Sequence, residues 1–259
     1  MPALLASEWV KLRSVRSTHH ALGVAALVAV LGAGWAYYVG TVWDGRDAAG
    51  RAAFGAAAPE EGFLPLLQVG LAVLGVLAIT AEYATGTICT SVTAVPARHR
   101  LLAAKTAVVA ATAFSASAAV LLVTWGLSRW IAGDRTLGFN AAPLAAELPA
   151  LLASALSVTV LAIVGLGLGA VTRSTAGAIT AVVGLLFVLP GVGAYLPAPW
   201  NTRLSSFLLP ELVPQIVGER LSRRLGDGVL PPMVALAGLI AYAVVALGAA
   251  AIVLARRDV

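Results

Sequence analysis

Three histidines, one cysteine and one adjacent acidic pair are the residues here whose types could support catalysis: His19, His20, His99, Cys89 and Glu60-Glu61. A hydrolytic site needs a nucleophile beside a base, or a metal held by histidines and carboxylates. Glu60-Glu61 has no histidine near it in sequence, and neither HExxH nor GxSxG occurs. A single thiol makes neither an intramolecular disulfide nor a cysteine-based metal site. A phosphate-cradling loop needs glycine ahead of its Lys-Thr, but Ala104 precedes the one such pair, Lys105-Thr106. The run Gly165-Leu166-Gly167-Leu168-Gly169 resembles part of a dinucleotide fingerprint, yet no strand pattern precedes it. Its small residues predict close contact between helices instead. The residues therefore predict no catalytic group, no metal, no cofactor and no enzyme activity.

The surrounding composition explains why chemistry is sparse. The chain has 259 residues, 60% hydrophobic and only 11% charged, with a mean hydropathy of +0.93. Soluble domains carry about 25% charged residues, so lipid must be the solvent for much of this surface. Six apolar runs, each long enough to cross a bilayer as a helix, contain no Asp, Glu, Lys, Arg or His. They cover about 21–43, 63–80, 106–128, 148–172, 174–195 and 233–255. Membrane β-strands alternate over about ten residues, and these runs do not alternate. The expected fold is all-α: a single membrane domain over 1–259 with six transmembrane helices. An ion-coupled transporter usually keeps ionisable groups inside its bundle, and here Gln68 is one of few strongly polar span residues.

The net charge is +5. The basic residues are scattered and form no nucleic-acid face. With the N-terminus inside, the inner segments hold nine Lys/Arg and three Asp/Glu, and the outer ones eight and nine. Lys11, Arg13, Arg16, Arg98, Arg100, Lys105, Arg173, Arg256 and Arg257 crowd the span ends, which predicts that both termini are cytoplasmic. Lysine occurs only at 11 and 105 while Ala, Gly and Arg abound, a composition that fits a high-GC bacterial gene.

Three segments outside the spans have patterns of their own. Residues 3–17 place Leu5, Trp9 and Leu12 at helical spacing opposite Ser7, Lys11 and Ser14, which predicts an amphipathic helix in the headgroup layer. Residues 81–105 predict a loop containing a helix between two breaks: Glu82 and Tyr83 end the second span, Gly86 permits a turn, and Pro96 stops the helix. That helix, 87–95, puts Ile88, Val92 and Val95 on one face. Residues 196–232 hold an apolar stretch, 204–217, too short to cross and interrupted by Pro210 and Pro214. It predicts a helix that either re-enters the outer leaflet or rests on the protein.

SEWVKLRS near the start and ITAEYATGTICTSVTAVPARHRLLAAK after the second span resemble permease subunits of type-2 ATP-binding-cassette exporters, in particular bacterial half-permeases. The resemblance runs over essentially the whole chain. It implies an ABC ATPase on a separate polypeptide and a second permease chain, as homo- or heterodimer. It implies that Leu5, Trp9 and Leu12 belong to an elbow helix. It also implies that Glu82, Tyr83, Gly86 and Thr87 match an E-x-x-x-G-T stretch and that Ile88, Val92 and Val95 face the ATPase. Segment 196–232 would close the outer exit. Cys89 departs from the pattern, since relatives carry a basic residue there. The competing expectation is a membrane scaffold, immunity or sensor subunit that moves nothing. No residue names a cargo.

Overall fold

The computed structural model describes residues 2–94, 97–218 and 229–256. Among these the fold is all-α. Helix α1 (Pro2–Ser14) is followed by α2 (Arg16–Asp44), short α3 (Ala48–Ala52) and α4 (Pro59–Gly62), α5 (Leu64–Thr85), α6 (Thr87–Ala94), α7 (Arg98–Ala132) and α8 (Leu144–Thr172). Then come α9 (Thr175–Val183), a π-helical turn (Gly184–Val188) and α10 (Leu189–Ala194), which form one continuous rod. Helices α11 (Trp200–Ser206), α12 (Leu209–Val217) and α13 (Pro232–Arg256) complete the fold. Six of these rods are long and apolar enough to cross a membrane: α2, α5, α7, α8, the α9–α10 rod and α13. This is a multi-pass membrane protein.

Helix α8 is the hub. In its most apolar stretch 78% of residues are buried, against 11% in α13. It packs against α5, α7 and α13. Glycines let it approach closely: a methyl group on Gly165 would fall 2.5 Å from the Ala72 carbonyl oxygen, and one on Gly75 would fall 1.9 Å from that of Ala162. The GLGLG run is therefore a packing surface, since Gly167 meets Ala246 of α13 in the same way. The π-turn sits just before Pro190. Proline has no N–H for the carbonyl four residues back and its ring crowds that carbonyl, and a wider turn is the usual accommodation.

The long helices outrun their apolar cores. Residues 81–105, expected as one loop, divide differently: α5 continues to Thr85 and α7 already starts at Arg98. Glu82 and Lys105 are thus helical residues. Helix α7 spans 35 residues, or about 52 Å at 1.5 Å per residue. The expected break at Gly86 is present as a left-handed cap with φ +71°. Arg98 donates to the Leu254 carbonyl, so the start of α7 and the end of α13 lie at the same end of the bundle as α1. We call this the proximal end. Helices α3, α4, α11 and α12 lie at the opposite, distal end.

Among the described residues, segment 196–232 forms α11 and α12. Neither is long enough to cross. Leu209 and Leu212 of α12 are buried, and the helix packs against α8 and α13. Gln215 holds its start and end together: Nε2 donates to the Ser206 carbonyl, and Oε1 accepts from the Leu230 N–H.

Candidate functional site

Two clusters of charged side chains are buried, one at each end of the bundle. At the proximal end, Lys105 Nζ on α7 lies 2.6 Å from Glu8 Oε2 on α1 and 3.0 Å from Glu82 Oε1 on α5. It also donates to the Ala78 carbonyl. Lys11, half-exposed, reaches Glu8 Oε1 at 2.8 Å and Glu82 Oε1 at 3.1 Å. Two carboxylates and two ammonium groups therefore compensate one another where an isolated charge would cost several kcal/mol. Burial works against ionisation of Glu8, but the charges and hydrogen bonds of Lys105 and Lys11 prevail and hold its carboxyl below the ordinary value. Burial likewise opposes the Lys11 charge, and its hydrogen bonds to Glu8 and Glu82 outweigh that and raise its pKa.

Leu5, Trp9 and Leu12 were expected to share the face of α1 that lies in the headgroup layer. Leu12 is buried, but Leu5 and Trp9 stand 37% and 47% exposed. The side turned to the protein carries Glu8 and Leu12, and the ion pairs rather than an apolar stripe attach it. Leu5 and Trp9 then point outward at the proximal end, as an interfacial helix requires. A cavity of about 330 Å³ lies between α1, α2, α5 and α7, bordered by Glu8, Lys11, Glu82 and Lys105.

The residues expected to face a partner sit beside this cluster. Glu82 is buried in it. Tyr83 is half-buried, with the Arg173 guanidinium 5.2 Å from its ring centre. Gly86 makes the turn, and Thr87 is exposed. Ile88 requires a correction. It is only 3% exposed and sits beside Ile79, Leu101, Leu102 and Leu254. Its burial is intramolecular, so it offers no surface to a second protein. Among the described side chains of α6, Thr87, Thr90 and Thr93 are exposed. The Val92 side chain and the whole of Val95 lie outside the described residues.

At the distal end, Arg129 of α7 bridges two carboxylates. Its Nη1 is 2.5 Å from Glu60 Oε1 of α4, and its Nη2 is 2.5 Å from Glu147 Oε2 of α8. The guanidinium also donates to Ser128 Oγ and the Phe139 carbonyl. Trp125 Nε1 donates to Glu147 Oε2 at 2.7 Å. A cavity of about 740 Å³ opens beside this cluster, between α4, α5, α8 and α12. Gln68 lies on its wall and donates to Ser157 Oγ at 3.1 Å. Nearby, Arg135 pairs with Asp44 through two nitrogens at 2.9 Å.

Sequence reasoning missed Glu8, Lys105, Arg129 and Glu147 as members of buried clusters. Lys105, Arg129 and Glu147 lie just beyond an apolar run and Glu8 lies in the segment before the first one, where a charge reads as a solvated flank. No protein-family model matches the chain, and no curated protein matches it.

Proposed function

We propose that this chain is a permease subunit of a type-2 ABC exporter, driven by an ATPase on a separate polypeptide, in a bacterial inner membrane with both termini cytoplasmic. The observation that carries the reading is the proximal elbow. A membrane-length helix stops at a left-handed glycine, an eight-residue helix follows, and the next long helix starts within a few residues. Glu82, one turn before that glycine, is tied to α1 through Lys11 and Lys105. A push on α6 would thus reach α1, α5 and α7 together. Two such chains would line a path, and ATP would drive it by favouring one of two states, by no more than its differential affinity for them. Lys11, Arg13, Arg16, Arg98, Arg100 and Lys105, gathered at the proximal end, support the orientation.

The test is co-purification with an ATPase encoded beside it, followed by ATPase measurement in lipid. The expected result is a stoichiometric complex whose hydrolysis exceeds that of the ATPase alone. A membrane-resident chain that recruits no ATPase would favour the scaffold reading.

A further inference from the structure

The cavity beneath α1, of about 330 Å³, falls within the 300–1,000 Å³ typical of small-molecule sites. Leu12, Leu74, Leu77, Val108 and Val109 give it an apolar wall. Ser14, Val15, Thr85 and Thr87 also border it and are exposed. Its open side therefore lies between the end of α1 and the end of α5.

The buried polar groups on the wall have partners, with one exception. Lys105 gives its three hydrogens to Glu8, to Glu82 Oε1 and to the Ala78 carbonyl. Each oxygen of Glu8 accepts from a lysine. Thr18 donates to the Leu12 carbonyl. The exception is Glu82, which is 8% exposed. Both Lys11 and Lys105 reach its Oε1. Its Oε2 is buried and has no hydrogen-bond partner among the described residues. A buried carboxylate oxygen left unsatisfied is costly and calls for a donor.

The neighbouring charges decide which donor fits. Lys105 Nζ lies 3.0 Å and Lys11 Nζ 3.1 Å from the other oxygen of the same carboxylate. A cationic head on Oε2 would be set against two ammonium groups. An anionic head would be set against Glu82 and Glu8. A neutral O–H supplies the missing bond without adding charge, and an aliphatic chain matches the rest of the wall.

We propose that this cavity binds a neutral lipid with a free alcohol, a monoacylglycerol being the type, with its O–H donating to Glu82 Oε2 and its chain against Leu74, Leu77 and Val108. The remainder of the chain leaves through the open side. The site rests on this chain's own residues and not on the export reading, so it is tested without an ATPase.

The chain is placed in phosphatidylcholine nanodiscs, whose lipid has no free hydroxyl. It is photolabelled with an octanol bearing a diazirine, and adducts are located by peptide mass spectrometry. The methyl ether of the same molecule, which cannot donate, is the control, and both are dosed per lipid so that partitioning cancels. The expected result is saturable labelling within 12–18, 74–82 and 108–109, the segments that line the cavity. Half-saturation should need at least about tenfold less alcohol than ether, as loss of a charge-assisted hydrogen bond predicts. Monooleoylglycerol should displace these adducts, and trioleoylglycerol, which has no hydroxyl, should not. Glu82→Gln should narrow the preference for alcohol over ether. Ala81→Phe places a ring into the cavity wall without altering a charge and should abolish saturable labelling. Thermal unfolding identifies any variant that fails to fold, and the comparison of probes and competitors on the unmodified chain needs no variant. Equal half-saturation by alcohol and ether, or absence of saturable labelling, would overturn the proposal. So would adducts that free octanol displaces but monooleoylglycerol leaves in place, since the site would then take small alcohols and not a lipid.

Discussion

Lys105 Nζ lies 2.6 Å from Glu8 Oε2 across 97 residues of chain, with both side chains almost fully buried. The contact fastens a helix that precedes the bundle to the third of its membrane-length rods. Removing Lys105 leaves Glu8 and Glu82 buried with only the half-exposed Lys11 to compensate them. Breaking one side of a buried ion pair costs about 3–5 kcal/mol. Lys105→Met is therefore expected to lower thermal stability in detergent toward the lower end of that range. Adding Glu8→Gln should cost less than the sum of the single changes, because both remove one interaction. Strict additivity would show the pair to be uncoupled.

The same cluster sets a pH window. Glu8 has a folded pKa below its ordinary value of 4.5. Its contribution is fully present above 4.5 and is lost as pH falls through the lowered value. Lys11 is raised above 10.5, so its contribution is present below 10.5 and is lost as pH rises through the raised value. A fluorophore on Leu5→Cys, with Cys89 replaced, should keep constant anisotropy from about pH 5 to about pH 10. It should gain mobility in acid as Glu8, facing Lys11, Lys105 and Glu82, takes up a proton. A transition centred near neutrality would contradict this.

Gly75→Val should be among the most damaging changes in the chain. Its Cβ would fall 1.9 Å from the Ala162 carbonyl oxygen, which is backbone and cannot rotate away. Overpacking typically costs about 1–3 kcal/mol and occasionally more, and separation of α5 from α8 is expected to exceed that range. Gly184→Ala is the control, because nothing lies within 4 Å of a methyl group there. Equal melting temperatures for the two variants would count against the α5–α8 contact.

On the export reading, α6 offers two separable kinds of side chain. Thr90 and Thr93 are exposed. Thr90→Asp is expected to leave melting unchanged and to cut ATPase stimulation at least about tenfold, the effect of an unpaired charge in a contact. Ile88→Ala should instead destabilise the chain itself by about 2–5 kcal/mol, as for a buried aliphatic. Normal stimulation by Thr90→Asp would remove α6 from the coupling path.

Orientation is checked by labelling single cysteines with Cys89 replaced. Cysteines at Leu5 and His99 should react from one side of the membrane only, and one at Thr202 only from the other. An impermeant reagent added outside that modifies residue 99 would reverse the proposed topology.

Six apolar runs without a charge specified the six rods, because desolvating backbone and charge in lipid leaves helices as the remaining solution. The break at Gly86 was equally legible, since its signal is local and conformational. GLGLG was legible as a packing surface for the same reason, although its partners, Ala72 and Ala246, were not. What the sequence could not disclose is which flanking charges leave water. Glu8, Lys105, Arg129 and Glu147 carry the same local signature as Arg13 or Arg100, which stay exposed. Burial of a charge depends on a partner brought from 23 to 97 residues away at the proximal end, and 18 to 69 at the distal end. Ile88 shows the same limit for an apolar side chain: periodicity assigned it to a face, but only the packing of α5, α7 and α13 around it decided that the face is turned inward.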